Sequence, residues 1–390
     1  MAGSDPAVIY LDHAATTPLD RRVAEAMAPF PAERFGNPSS MYQVARDARR
    51  ALDQARDTAA ELIGARSTEI TFTSGGSESD NAALKGVAFA SGRGGHLITS
   101  LVEHHAVLHS CLFLEKLGYS VTYLPVDRFG RVNPDDVGRA LRDETILVSI
   151  MAANNEIGTI QPIEEIARIT RARRVPLHVD GVQAAGALDL SVDRLGVDLL
   201  SLSGHKVYGP KGTGLLYVRR GTACWPLIHG GGQERGRRAG TENVAGIVGL
   251  VCALQLATED RISRNATVTR LRDRVLRGVL DGIAGVQLTG HPEQRLPNNA
   301  SFCFAGVSGE SLLLALDQQR VMVSTGSACT SGSLEPSHVL LATGLSSSLA
   351  AGSLRITLGH ENTDAEIDRL LTVLPAIAER LRSAEAPVVT

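Results

Sequence analysis

The chain has 390 residues, of which 43% are hydrophobic, enough to bury a sizeable core and to predict two domains rather than one. Its formal net charge of −3 disfavours a nucleic-acid or anionic-membrane surface, so we expect neither nucleic acid nor a membrane as a direct partner. Five widely spaced cysteines and the lack of a signal-peptide pattern argue against disulfides and secretion, and predict a cytoplasmic protein.

The first half of the chain alternates short β-rich runs with helical patterns. The predicted strands are 69–74, 96–100, 120–125, 145–151, 176–180, 198–203 and 214–220. Segments such as 104–118 and 162–173 are long enough for crossover helices, which predicts a mostly parallel seven-stranded sheet with helices on both faces. The last run follows its predecessor without a helix, so it should be an antiparallel neighbour.

A glycine-rich, basic loop follows at 229–243, and the pattern then changes. Two long helices are predicted, at 243–257 and 261–282, and 285–299 has the composition of turns. The remaining pattern fits a smaller α+β C-terminal domain. Its predicted elements are strands 300–304, 321–324 and 353–358 and helices 309–319, 336–343 and 363–384.

The first candidate site lies after strand 69–74, because open α/β sheets bind ligands at the carboxyl ends of their strands. Gly76 permits close approach of a ligand, and Ser77 can cap the next helix with Asp80 three residues on, as in a capping box. A helix N-terminus of this kind can bind phosphate. For this motif alone, an ordinary helix cap is the commoner explanation.

The second candidate site joins two strand ends. Strand 176–180 ends at Asp180, with Gln183 close behind, and strand 198–203 runs into Ser203, His205 and Lys206. Lysine is scarce in this chain, and a lysine after a buried strand is costly unless it has a use. Pyridoxal phosphate needs a lysine for a Schiff base, a carboxylate for its ring nitrogen and a phosphate site. The alternative for the lysine is an exposed surface position.

Four further residues are weaker candidates when each is taken alone. His104 follows strand 96–100 and could stack on a cofactor ring or simply cap a helix, and Asn155 follows strand 145–151. Arg355 within an apolar strand needs an anion, either a substrate carboxylate or a structural salt bridge. Cys329 lies in the Ser-, Thr- and Gly-rich stretch "STGSACTSGS", an unusual place for a residue that is normally buried.

Taken together and in order, these motifs resemble the PLP-dependent cysteine desulfurases of aminotransferase fold type I. The resemblance rests on "YLDHAATTP", "TSGGSESDN", "EHHAV", "NNEIG", "HVDGVQ", "SLSGHKVYGPKG", "HGGGQERGRRAGTEN" and "STGSACTSGSLEPSHVL". It is closest to the group with a catalytic cysteine on a long loop, and "RRAGTEN" resembles the nitrogenase-associated type within it. Such enzymes remove sulfur from L-cysteine, leaving L-alanine and an enzyme-bound persulfide.

The resemblance implies a role for each cofactor residue. Lys206 would hold pyridoxal 5′-phosphate as a Schiff base and act as a catalytic base, Asp180 would pair with the ring nitrogen, and Gln183 with the ring oxygen. His104 would stack on the ring as a catalytic residue. The residues implied to hold the phosphate are Gly76, Ser77, Ser203, His205 and, from the second subunit of a homodimer, Thr241.

For the substrate, the resemblance implies that Asn155 and Arg355 hold the carboxylate and that Cys329 takes the sulfur. The persulfide would pass to an acceptor protein, for iron–sulfur cluster assembly, tRNA or other thiolation. The implied domains are 15–260, which binds the cofactor, and 1–14 with 261–390, which carries the cysteine loop at about 324–336. The alternatives are a selenocysteine lyase, a PLP aminotransferase or a non-catalytic scaffold of the same fold.

Overall fold

The computed structural model describes residues 8–92, 94–326 and 336–385. Within these ranges the strands are β1 (Ile9–Tyr10), β2 (Ile70–Thr73), β3 (His96–Ser100), β4 (Ser120–Leu124), β5 (Thr145–Ser149), β6 (Leu177–Asp180), β7 (Leu199–Ser203), β8 (Gly214–Val218), β9 (Val286–Leu288), β10 (Asn299–Phe304), β11 (Val321–Met322) and β12 (Ser353–Thr357).

The α-helices of the same ranges are α1 (Arg21–Met27), α2 (Gln43–Ile63), α3 (Gly76–Ala90), α4 (His105–Lys116), α5 (Pro134–Ala140), α6 (Ile163–Ala172), α7 (Val192–Leu195), α8 (Val244–Glu259), α9 (Arg261–Gly282), α10 (Gly309–Asp317), α11 (His338–Ala342), α12 (Ser347–Ala350) and α13 (Asp364–Glu385).

Seven strands form the central sheet in the order β2-β8-β7-β6-β5-β3-β4. Strand β8 is antiparallel to both of its neighbours, β7 and β2, whereas the other pairs are parallel. The prediction of a mostly parallel seven-stranded sheet, with its last strand antiparallel, is therefore confirmed. This arrangement brings the carboxyl ends of six strands to one edge, where the candidate site residues follow them.

The sheet is buried on both faces, as its near-continuous apolar strands require. In β7, Leu200 and Leu202 pack into one hydrophobic cluster, while Leu199 points to the other face and packs into a second. Helix α8 packs against α2 and is largely buried, as its apolar sequence predicts. None of the described helices is both long and apolar enough to cross a membrane.

A smaller antiparallel sheet follows, in the order β12-β10-β9, and β1 pairs in parallel with β11 nearby. Its hydrophobic cluster includes Ile9 and Leu11 from the N-terminus beside side chains of α9, α10, α13, β10 and β12. Helix α8 ends at Glu259 and α9 begins at Arg261, next to the predicted boundary near 260. The domain ranges themselves stay a prediction.

Several details of the predicted elements differ from the structure. The region 285–299, expected to be turns, contains the edge strand β9, whose three residues are too few to show a strand period. Strand β11 ends at Met322 rather than at 324, because Ser324 instead forms an isolated bridge to Arg355.

Candidate active site

The lysine expected to carry a cofactor lies at the carboxyl edge of the large sheet. Lys206 ends a short 3₁₀ turn that follows β7. Its Nζ donates hydrogen bonds to the carbonyl oxygens of Ala14 and Ala15, at 2.6 and 2.7 Å. Gln183 Nε2 donates to the same Ala14 oxygen at 3.0 Å. The amine and the amide therefore meet at residues 14 and 15, which close this side of the site.

The predicted carboxylate partner is buried at the end of β6. Asp180 is 6% exposed, and its Oδ1 accepts a hydrogen bond from the Val182 N–H at 2.9 Å. Burial raises the pKa of Asp180 to about 6, and the nearby Lys206 ammonium acts in the opposite direction. A buried carboxylate of this kind favours a positively charged N–H partner, such as a protonated pyridine nitrogen.

The predicted phosphate site lies at the start of α3, but its cap differs from the expectation. The N-cap is Gly75, with no side-chain hydrogen bond to the first turn, and Ser77 is exposed within that turn. The predicted capping box of Ser77 and Asp80 is therefore wrong. A Cβ on Gly76 would lie 2.7 Å from Val182 Cγ2, so only glycine lets this helix end approach the turn after β6.

Asp80 has a different place from the one the sequence suggested. Its side chain is buried under the sheet edge, where Oδ1 has no hydrogen-bond partner among the described residues and lies 3.6 Å from His178 Nε2. Burial and the neighbouring Asp180 carboxylate raise the pKa of Asp80 well above its usual value.

Two histidines flank Lys206 in the site. His104 is the N-cap of α4, where its Nδ1 accepts a hydrogen bond from the Ala106 N–H at 3.1 Å. His205 Nδ1 lies 3.2 Å from Thr16 Oγ1. Burial and the charge of Lys206 lower the pKa of each histidine to about 4, so both imidazoles are neutral at physiological pH.

The predicted substrate residues meet on the side of the smaller sheet. Arg355 of β12 is buried, and its Nη1 donates to the Asn155 carbonyl oxygen at 3.0 Å. Its Nη2 donates to Asp12 Oδ1 at 2.8 Å, so the structural salt bridge that the sequence left open is present. Arg355 Nε remains a buried donor without a hydrogen-bond partner among the described residues. Two of the five guanidinium N–H donors are used in these contacts, so Nε and the second N–H of each terminal nitrogen are left, among the described residues, for an additional anion.

The cysteine predicted to take the sulfur, Cys329, falls outside the described residues, between Gly326 and Pro336. The remaining cysteines are ordinary buried or half-buried thiols. Burial raises the pKa of Cys111 and Cys303 to about 12, and it also raises the pKa of Cys224 and Cys252. A raised pKa leaves little thiolate at neutral pH, which makes these four poor nucleophiles.

Sequence reasoning missed three acidic residues that surround the site. Asp12 pairs with Arg355, and two buried acids, Glu103 and Glu156, adjoin His104 and Asn155 in the chain. Burial raises the pKa of Glu103 to about 8 and of Glu156 to about 7. All three lie in motifs that the sequence had singled out, "YLDHAATTP", "EHHAV" and "NNEIG", and an acid inside each motif was the available signal.

Comparisons with known proteins show which family the chain belongs to. The model of the class-V aminotransferases matches residues 9–370. The chain belongs to this family. It is 54% identical to the "Cysteine desulfurase IscS" of Methanosarcina thermophila, over 96% of this chain and 93% of that protein. It is 56% identical to the protein of the same name from Dictyoglomus turgidum, over 96% and 95%.

Solved structures of this class-V fold are also similar. A chain described as "NIFS-LIKE PROTEIN" superposes with a TM-score of 0.91 at 39% identity, covering 96% of this chain and 100% of that one. A second, "SspA in complex with cysteine", has a TM-score of 0.80 at 39% identity, covering 91% and 100%. The predicted PLP-dependent transferase fold type I and the predicted family are thus confirmed.

Pyridoxal phosphate is the cofactor of this family, and the described residues fit its three chemical groups. The start of α3 has no side-chain cap, and Gly76 lets it lie close to the turn after β6, so its free N–H groups suit the phosphate. The buried carboxylate of Asp180 suits the ring nitrogen, and the amine of Lys206 suits the aldehyde. No group of described side chains has an arrangement that could hold a metal ion.

Proposed function

We propose that this protein is a pyridoxal-phosphate-dependent cysteine desulfurase, which converts L-cysteine to L-alanine and keeps the sulfur as a persulfide on Cys329. The observation that carries the proposal is the identity of more than half of all positions, over nearly the whole chain, to relatives named as cysteine desulfurases. The class-V fold alone would fit other reactions as well, because one fold supports many activities.

The cofactor would be held by groups at the carboxyl edge of the large sheet. The residues proposed to bind its phosphate are Gly76, Ser77, Ser203, His205 and the partner subunit's Thr241. Asp180 would stabilise the protonated ring nitrogen, and Gln183 would bind the ring oxygen. His104, neutral because its pKa is about 4, could stack on the ring without repelling its positive charge.

The substrate would enter between this edge and the smaller sheet. Arg355 would bind the carboxylate with the help of Asn155, and its buried Nε supports this role because that donor has no partner among the described residues. Asp12 would hold the guanidinium in place, since it accepts a hydrogen bond from Nη2 while Nη1 donates to the Asn155 carbonyl oxygen. The ion pair and the substrate site are therefore compatible uses of one arginine.

Sulfur transfer would divide the chemistry between a base and a nucleophile. When bound, pyridoxal phosphate supplies an electron sink that makes the Cα proton acidic and the Cβ–Sγ bond breakable. Lys206 would take the Cα proton. The Cys329 thiolate would attack Sγ, so that an S–S bond forms as the Cβ–Sγ bond breaks. The carbon skeleton keeps the electron pair of the broken bond and, after protonation, leaves as alanine.

A homodimer is part of this proposal, because Thr241 is exposed in the loop at 229–243 and is accessible to a second subunit. Met41 and Phe35 expose 90% and 67% of their surface, as expected of residues that a partner covers. Mixing Thr241→Ala and Lys206→Ala subunits tests the sharing of sites. Each mixed dimer would contain one intact site, so activity should return; if no activity returned, the two subunits would not share their sites.

The experiment that tests the activity is an assay of the holoenzyme with L-cysteine. We expect release of L-alanine and, by mass spectrometry, a gain of about 32 Da on the peptide that contains Cys329, the mass of one sulfur atom. L-Selenocysteine and an aminotransferase substrate pair should be run beside it. Amino-group exchange without alanine release would instead indicate an aminotransferase, and reaction with selenocysteine alone would indicate a lyase for that amino acid.

A further inference from the structure

Both described ends of the segment that contains Cys329 contact one buried side chain, that of Glu156. On the near end, a Cβ built on Gly326 would lie 2.8 Å from Glu156 Oε2. On the far end, the Ser337 hydroxyl donates a hydrogen bond to the same Oε2. The same Cβ would lie 3.4 Å from Ser337 Cβ, so the two ends also meet each other.

Glu156 is itself held firmly. It is 5% exposed, its N–H donates to Asn154 Oδ1 at 2.8 Å, and its carbonyl oxygen accepts from Asn299 Nδ2 at 3.1 Å. Asn299 belongs to β10 of the smaller sheet, so the acid is fixed from the sheet as well as from its own turn. A buried side chain on a backbone fixed in this way can act as an anchor for what it contacts.

The same anchor adjoins the groups proposed to bind the substrate carboxylate. Glu156 follows Asn155, whose carbonyl oxygen accepts from Arg355. Ser324, two residues before Gly326, exchanges backbone hydrogen bonds with Arg355 at 3.1 and 2.7 Å. The beginning of the cysteine segment and the substrate-binding arginine therefore share one rigid support.

Burying an acid here needs an explanation. Burial raises the pKa of Glu156 to about 7, against the hydrogen bond from Ser337 and the charge of Arg355, which both lower it. A leucine of similar size would avoid the desolvation cost, but it could accept no hydrogen bond from the Ser337 hydroxyl. The contact with the two ends of the segment is the use of Glu156 that this structure offers.

We propose that Glu156 is a positioning residue, which ties the two ends of the cysteine segment to each other and to the Asn155–Arg355 carboxylate site. It acts on the rate of sulfur transfer through the placement of Cys329, and not on cofactor or substrate binding. The inference rests on the proposed function, because it assumes that Cys329 is the sulfur acceptor.

The test compares Glu156→Ala, Glu156→Gln and Ser337→Ala holoenzymes with L-cysteine as substrate. Small displacements of reacting groups can cost up to about 100-fold in rate, so Glu156→Ala and Ser337→Ala should lower kcat by about 10- to 100-fold. KM and the change in cofactor absorption on adding L-cysteine should stay within about twofold, because the carboxylate site itself is intact. Glu156→Gln, whose amide oxygen still accepts from Ser337, should restore most of kcat.

Ser346→Ala is the matched control for Ser337→Ala. Ser337 caps α11 by accepting from the Leu340 N–H at 3.3 Å, and Ser346 caps α12 by accepting from the Leu349 N–H at 3.3 Å. Both variants lose one helix cap, but only Ser337 donates to Glu156 in the described part of the chain. Ser346→Ala should therefore keep its kcat; an equal loss would show that capping, and not the anchor, sets the rate.

The outcomes separate this inference from the activity on which it rests. A wild-type enzyme without alanine release or a persulfide on Cys329 would overturn the proposed function itself. An active wild type whose kcat survives in both Glu156→Ala and Ser337→Ala would overturn the anchor alone. If Glu156→Ala does not fold, Ser337→Ala decides the question, because it leaves the buried acid in place.

Discussion

The two sides of the candidate site are built in different ways. On the cofactor side, Asp180 and Ser203 are the last residues of adjacent parallel strands, and Lys206 follows directly. On the substrate side, Arg355 pairs with Asp12, which is 343 positions away, and Ser337 with Glu156, 181 positions away. The strand ends of the cofactor side follow from sheet topology, although Lys206 and Gln183 also contact the distant Ala14. The substrate side depends on how the smaller sheet packs against the larger one.

The difference predicts that the two sides can be damaged separately. A change on the cofactor side should remove cofactor chemistry altogether, since every later step needs it. A change on the substrate side should leave the cofactor in place and alter either the affinity for L-cysteine or the transfer of sulfur. Each prediction below tests whether an effect stays on its own side.

The largest effect is expected from Lys206→Ala. Loss of a positioned base alone typically costs about 10²- to 10⁴-fold in rate, and this variant would also lose the covalent attachment of the cofactor. Borohydride reduction of the wild type, followed by peptide mapping, should place the cofactor on Lys206. Lys211→Ala, a change at an exposed lysine of the next turn, should keep both colour and activity. A label on any other lysine would contradict the assignment.

A smaller effect, confined to the substrate side, is expected from Arg355→Lys. Lysine keeps the positive charge beside Asp12 but cannot bind a carboxylate with two parallel donors. Hydrogen bonds to charged groups are worth about 1.5–3 kcal/mol, so KM for L-cysteine should rise by about 10- to 100-fold.

Cofactor absorption shows whether Arg355→Lys, a change on the substrate side, also affects the cofactor side. It should be unchanged in Arg355→Lys. The control is Arg219→Lys, which alters an arginine that follows β8 and pairs with Asp193, and it should keep the wild-type KM. Loss of cofactor from Arg355→Lys would mean that the two sides are not separable.

The smallest effect is expected from Glu103→Gln and concerns how the free energy of unfolding changes with pH. Burial raises the pKa of Glu103 from 4.5 to about 8, so the folded holoenzyme binds this proton more tightly than the unfolded chain. The stability that Glu103 contributes is complete below pH 4.5 and is lost as the pH rises through 8. Glu103→Gln should remove this dependence and reduce the fall in unfolding free energy between pH 5 and 9 by about 1–3 kcal/mol.

Urea unfolding of both holoenzymes at the two pH values measures this change. Glu115→Gln, which alters an exposed acid of α4, is the control and should behave as the wild type does. An identical fall in wild type and Glu103→Gln would mean that the buried acid does not titrate in this range.

What the sequence could predict follows the same division. The seven strands, and the places of Asp180, Ser203 and Lys206 at or just after strand ends, were predictable because period, strand length and the position of each strand end are local properties. The short edge strand β9 and the cap of α3 were not, since three residues show no period and Gly75 carries no capping side chain. The contacts of Asp12 and Glu156 were out of reach, because both depend on tertiary packing between distant segments.

Cys329→Ser is the most direct test of the account, because it asks whether cofactor chemistry and sulfur transfer are separate. The variant holoenzyme should keep its colour, and its absorption should still change when L-cysteine is added. A hydroxyl is a far weaker nucleophile toward sulfur than a thiolate, so alanine release should fall by several factors of ten, each about 1.4 kcal/mol of barrier. Near-normal alanine release from Cys329→Ser would contradict the account.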